Sequence, residues 1–183
     1  MTARVIVLNG VSSAGKSSLA KAIQAQANST FLHVEMDAFI SFLPDGHELR
    51  PEWFKLDMIE TEHGKLATIS NGPRGEALLG VMRRFVVQAA NSGLNLVVDE
   101  VCHAREISDY RAGLRDHKVQ FVKVSAPIDI IEEREKARGD RLIGLAREQS
   151  AHLHDGIDYD LEMDTSELAP VDCAQRVLER LKA

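Results

Sequence analysis

Short apolar runs alternate along this chain with stretches in which apolar residues recur at helical spacing. Val5 to Leu8 is an unbroken apolar run, the pattern of a strand buried on both faces. Leu19, Ala20, Ile23 and Ala27 then fall on one helical face, which predicts a helix starting at Lys16. Asn28-Ser29-Thr30 breaks that pattern, and Phe31 to Val34 reads as a second strand. Leu78, Leu79, Met82, Phe85, Val86 and Ala89 predict a helix over 74–90, stopped by Asn91-Ser92-Gly93. A strand over 94–98 follows, then a helix over 106–116, a strand over 119–124 and a helix over 128–138. The pattern closes with an alternating strand over 159–164 and a helix over 171–181. Strands and helices alternating in this way predict an α/β fold with a mostly parallel central sheet between helical layers. Residues 1–183 carry no internal repeat, linker or low-complexity tract, so a single domain is expected.

Residues 38–72 are the least regular part. They read as a short helix over 38–43, a turn at Pro44-Asp45-Gly46 and the segment Arg50-Pro-Glu-Trp-Phe54. Phe39, Phe42, Leu43, Trp53 and Phe54 either cover a ligand or pack a small local core. This region is the expected acceptor-binding part of the molecule.

Composition narrows the classes. With 44% apolar residues in 183, the chain can bury one well-packed core. A net charge of −6 with acidic residues spread along the chain argues against a nucleic-acid partner. Two cysteines, Cys102 and Cys173, stand far apart, so neither a disulfide framework nor a zinc site is indicated. No apolar run approaches a membrane span, and a cytoplasmic protein is expected. A homo-oligomer is left open.

The chemistry concentrates where the first strand meets the first helix. Gly10-Val-Ser12-Ser13-Ala14-Gly15-Lys16-Ser17 fits the phosphate-binding pattern G-x-x-x-x-G-K-[ST] at every fixed position. Its backbone N–H groups can form an anion-binding nest, with Ser18 opening the helix behind it. Lys16 would reach the β- and γ-phosphates of ATP, and the Ser17 hydroxyl would ligate Mg²⁺. Asp99, ending the apolar strand 94–98, is the expected second metal residue. Asp37 falls just past the carboxyl end of the second strand, the edge where open parallel sheets bind ligands. It is a candidate general base, with a helix N-cap as the plain alternative.

Arg134 and Arg138 stand four apart on one helix, with Arg141 just past Gly139. Over 134–150 they would form a lid that neutralises phosphate charge, Arg134 toward the nucleotide and Arg138 or Arg141 at the transferring group. The other reading is a solvated helix laced by Glu132, Glu133, Glu135 and Asp140. His152 and His154 have metal-like spacing only on a strand, with no third ligand nearby.

The P-loop, Asp37, the Val97-Val98-Asp99 strand end, Arg134-Glu135-x-Ala137-Arg138-Gly139-Asp140-Arg141 and Tyr159-Asp160 to Asp164-Thr165 together resemble the chloramphenicol phosphotransferase family. The resemblance runs nearly the full length and implies a P-loop NTPase fold of kinase type with a lid. It implies transfer of the γ-phosphoryl of ATP to a hydroxyl of a small molecule, chloramphenicol or a similar alcohol. By motif, Asp37 would be the base, Lys16 and Ser17 the nucleotide and Mg²⁺ groups, and Arg138 or Arg141 the lid arginine. Between Leu43 and Arg74 the chain departs from the family pattern. A nucleoside, nucleotide or other metabolite kinase is therefore the alternative, with Arg50 and Lys55 as cations for an anionic acceptor. From a different class, a nucleotide-dependent switch would need a base-recognition motif of the Asn-Lys-x-Asp type, which the chain lacks.

Overall fold

A computed structural model describes residues 2–61, 64–139 and 142–182. Five parallel strands form the central sheet in the order β2-β5-β1-β6-β7: β2 is Phe31–Glu35, β5 Asn95–Glu100, β1 Arg4–Asn9, β6 Lys118–Ser125 and β7 Leu161–Asp164. The strands predicted from apolar runs are thus all present.

Residues alternate across the sheet, and each face has its own helical layer. Ile6, Leu8, Val97, Val122 and Val124 pack on one face against Leu19 and Ile23 of α1 (Lys16–Gln26) and Ala174 and Val177 of α7 (Pro170–Lys182). Val5, Val7, Leu96 and Val98 pack on the other against Met82 and Val86 of α3 (Pro73–Asn91) and Ile107 and Tyr110 of α4 (Ala104–Gly113). Both faces are covered, which is why β1 and β5 read as continuous apolar runs rather than as alternating ones.

Several elements differ in their bounds from the sequence expectation, and three of the differences bear on the site. Helix α2 is Met36–Ile40, so it begins before Asp37, and Glu35 occupies the N-cap position that had been open to Asp37. Helix α4 starts two residues early because the Glu106 carboxylate accepts the His103 N–H at 3.0 Å and fixes the first turn.

The third difference is larger. Residues 54–61 and 64–71, expected to be irregular, form an antiparallel pair of β3 (Phe54–Thr61) and β4 (Gly64–Asn71), a hairpin separate from the main sheet. Phe54, Leu66 and Ala67 are buried while Met58 and Ile59 are exposed, so the hairpin lacks the clean period of a half-buried strand. It is held from outside. Thr68 donates to Glu148 of α6 (Leu145–Ser150) at 3.0 Å, and Gly144, at φ 87°, packs so closely on Leu66 that a Cβ would lie 3.0 Å from its methyl.

Candidate active site

β1 delivers the chain to the carboxyl edge of the sheet, where the loop 10–15 turns back into α1. A Cβ on Gly10 would lie 2.1 Å from the Val124 carbonyl oxygen, so only glycine fits against β6. Ser13 at φ 61° and Gly15 at φ 96° take left-handed conformations, the alternation that aims successive N–H groups inward. Lys16 is only 8% exposed, less open than a loop residue would suggest. Its ammonium donates to the Gly10 and Val11 carbonyls at 2.9 and 3.0 Å and lies 3.8 Å from Asp99. The Ser12 N–H donates to Gln149 of α6 at 2.9 Å, so the lid region rests on the P-loop.

Ser17 and Asp99 meet as the motif requires, with the Ser17 hydroxyl donating to Asp99 Oδ2 at 2.6 Å. Two residues absent from the sequence reading join them: Glu35 Oε1 lies 3.1 Å from Ser17 Oγ, and His33 Nε2 lies 3.7 Å from Asp99 Oδ2. Burial alone would raise the Asp99 carboxyl, but His33, Lys16 and the Ser17 hydroxyl overcome it and hold it below the usual carboxylate range. The oxygen donors of Ser17 and Asp99 fit a hard dication such as Mg²⁺.

The expected lid is α5 (Ile128–Arg138) followed by α6. Arg134 donates to the side-chain and main-chain oxygens of Thr165, both at 2.9 Å, and Thr165 donates in turn to the Ala14 carbonyl at 2.8 Å. Arg134 therefore props the P-loop through Thr165 while still lining the cleft. Arg138 lines the cleft as well, whereas Arg141 lies outside the described residues, as does Asp140. Glu135, a solvated charge in the alternative to the lid reading, is fully buried. It accepts the Gly144 and Ala146 N–H groups at 2.7 and 3.1 Å and so fastens α5 to the start of α6.

One continuous cleft of about 1120 Å³ runs from the P-loop to the hairpin. Ser12, Ser13, Gly15, Lys16, Ser17 and Ser18 line its phosphate end, and Asp37 lies on its wall. Beyond Asp37 the lining is apolar at Ile40, Leu49, Phe54, Ile69 and Leu79, and acidic at Glu48, Glu76 and Glu106. Of the aromatic candidates, Phe54 lines the cleft; Phe39 instead packs on Phe42 and Phe85, and Trp53 under Arg74. Arg50 and Lys55 do not line it, and Lys55 pairs with Asp57 at 2.8 Å.

Arg83 does reach the cleft, but its guanidinium is bound twice to Glu100, at 2.6 and 2.8 Å. Burial pushes the Glu100 carboxyl up, while Arg83 and the Tyr110 hydroxyl at 2.6 Å oppose the rise. His154 Nδ1 lies 2.7 Å from the Tyr159 hydroxyl, which also receives the Asn9 amide at 2.7 Å. The signal for His33 and Glu35 was available. Both are polar residues at alternate positions of a strand that ends at the ligand edge.

This fold, with its P-loop, a cleft over the carboxyl edge and a lid helix resting on the loop, defines a P-loop phosphotransferase of kinase type. The chain belongs to the chloramphenicol phosphotransferase-like family, whose model matches residues 3–182. It is 31% identical over 186 residues to the "Putative O-phosphotransferase" of Mycobacterium tuberculosis, a match covering 98% of this chain and 83% of that protein. Among solved structures it is similar to an unliganded sugar kinase of Janibacter sp. HTCC2649, at a TM-score of 0.66 and 21% identity over 100% of this chain and 95% of that one. It is similar also to the Mycobacterium tuberculosis APS kinase CysC solved with AMPPNP and APS, at a TM-score of 0.66 and 14% identity over 100% and 99%. Among the described residues, no helix is long and apolar enough to cross a membrane.

Proposed function

We propose that this protein moves the γ-phosphoryl group of ATP to a hydroxyl of a small, largely uncharged alcohol, chloramphenicol or a molecule like it. The observation that carries this reading is the placement of Asp37 on the wall of the same cleft whose end is the P-loop. In the step itself the acceptor oxygen bonds to the γ-phosphorus, the bridging oxygen leaves with ADP, and the hydroxyl proton passes to the Asp37 carboxylate. Asp37 need only orient the hydroxyl, since proton transfer is late in a loose transition state. Lys16 and Arg138 stabilise charge on the phosphates, with Arg141 the further candidate, while the Gly10–Ser17 nest and Ser18 hold them and Arg134 fixes the loop. Ser17 and Asp99 would hold Mg²⁺, which when bound neutralises phosphate charge.

The acceptor half supports an uncharged substrate. A nucleoside monophosphate would bring a phosphate into a wall bearing Glu48, Glu76 and Glu106, where the arginine present is already paired with Glu100. The same acidic wall disfavours a nucleic-acid substrate. Incubating the protein with Mg·ATP and chloramphenicol, followed by mass spectrometry, tests this directly. Phosphorylated drug formed by the intact protein and absent with Lys16→Ala is the expected result. No phosphorylated product from chloramphenicol or from a panel of neutral alcohols would overturn the reading.

A further inference from the structure

β2 ends in a cluster that the phosphotransferase motif does not require. His33 and Glu35 are two residues apart on this strand and so project from the same face, the face toward α1. The parallel register sets Glu35 beside Asp99 on β5. One ligand atom from each of His33, Glu35 and Asp99 lies within 4.8 Å of the others.

Hydrogen-bond accounting shows what this cluster lacks. Ser17 Oγ touches both Asp99, at 2.6 Å, and Glu35, at 3.1 Å, but has one proton to give. The shorter contact takes it, which leaves the Ser17 and Glu35 oxygens facing each other with no hydrogen between them. His33 Nε2 is buried with no hydrogen-bond partner, because Asp99 at 3.7 Å is beyond reach. Two carboxylates, a hydroxyl lone pair and an imidazole nitrogen thus converge, and the cation beside them, the Lys16 ammonium, stands 3.8 Å from Asp99 while donating to the Gly10 and Val11 carbonyls. Around an ion with bonds of about 2.1 Å, neighbouring donors sit roughly 3.0–3.4 Å apart, within the span these contacts cover.

We propose that His33, Glu35, Asp99 and Ser17 form a divalent-cation site that fills before any nucleotide arrives, and that the His33 nitrogen makes it select a transition dication such as Mn²⁺ over Mg²⁺. Mg²⁺ prefers oxygen donors and retains its waters, whereas an imidazole nitrogen favours transition ions. The purpose of the site rests on the phosphotransferase reading; its existence does not.

The test uses the full chain without nucleotide, titrated with Mn²⁺ and followed by electron paramagnetic resonance. One site in the micromolar range is expected, with ¹⁴N modulation in the pulsed spectrum and displacement by Mg²⁺ only in large excess. His33→Gln should keep the side-chain bulk, abolish the nitrogen modulation and weaken Mn²⁺ binding by at least about tenfold. Glu35→Gln should weaken it similarly while the modulation remains, and circular dichroism of both variants checks the fold. Mn²⁺ binding that appears only once ATP is added overturns the proposal, as does nitrogen modulation that is absent or survives His33→Gln. Phosphoryl transfer that fails while nucleotide-free Mn²⁺ binding persists removes the enzymatic reading alone, and the opposite pair of results removes the metal site alone.

Discussion

The two ends of the cleft are built in different ways. The phosphate end is made of the first few residues after β1, and its shape comes from backbone conformation at Ser13 and Gly15 and from the contact of Gly10 with β6. The proposed acceptor end gathers residues from α2, the β3–β4 hairpin, α3 and α4, and contacts with α6 hold the hairpin in place. Binding a phosphate needs a fixed array of N–H groups, which a short loop supplies by itself. Shaping a pocket for an organic acceptor needs side chains from several elements, so its specificity can change while the phosphate end stays the same.

The sharpest way to separate the two ends is kinetic. Asp37→Asn should lower kcat by about 10²–10⁴ with nucleotide affinity unchanged, and Lys16→Ala by about 10²–10³, both read in an ADP-release assay. If Asp37→Asn weakens nucleotide binding as much as turnover, the division between the ends fails.

The buried pair behind the acceptor wall should come next in size. Arg83→Met leaves the Glu100 carboxylate buried without its guanidinium partner, and should destabilise the fold by about 3–5 kcal/mol in urea unfolding. Adding Glu100→Gln should restore much of that, since the uncompensated charge is then gone.

Ile69→Ala on β4 should raise KM for the acceptor by about tenfold and leave KM for ATP alone, which a titration of each substrate measures. The smallest effect concerns Asp99. Its folded pKa is depressed, so its contribution to stability is complete above the ordinary aspartate range and is lost as pH falls through the lower folded value. Thermal unfolding in that acid range should show a slope in the wild type that Asp99→Asn lacks.

How much of this was legible varied with the range of the interactions. The P-loop, the Ser17–Asp99 pair and the five strands of the sheet follow from local apolar runs, one alternating stretch and one motif, because buried parallel strands leave a strong sequence signal. The hairpin did not, since Met58 and Ile59 are exposed and α6, more than 70 residues away, holds it. Glu135 misled for a related reason. On the sequence it is one acid in a charged helix, and only the path of residues 142–146 makes it a buried acceptor of two N–H groups.

The sequence by itself therefore determined the fold class, the phosphate loop and the family, each carried by short stretches that are legible without knowing which of them meet in space. The tertiary structure decided what each charged residue does: Arg134 a prop rather than a free cation, Arg83 a partner of Glu100, and His33 with Glu35 beside Asp99. The physical reason is that a charge takes its role from whatever lies within a few ångströms of it, and those neighbours come from elements far apart in sequence.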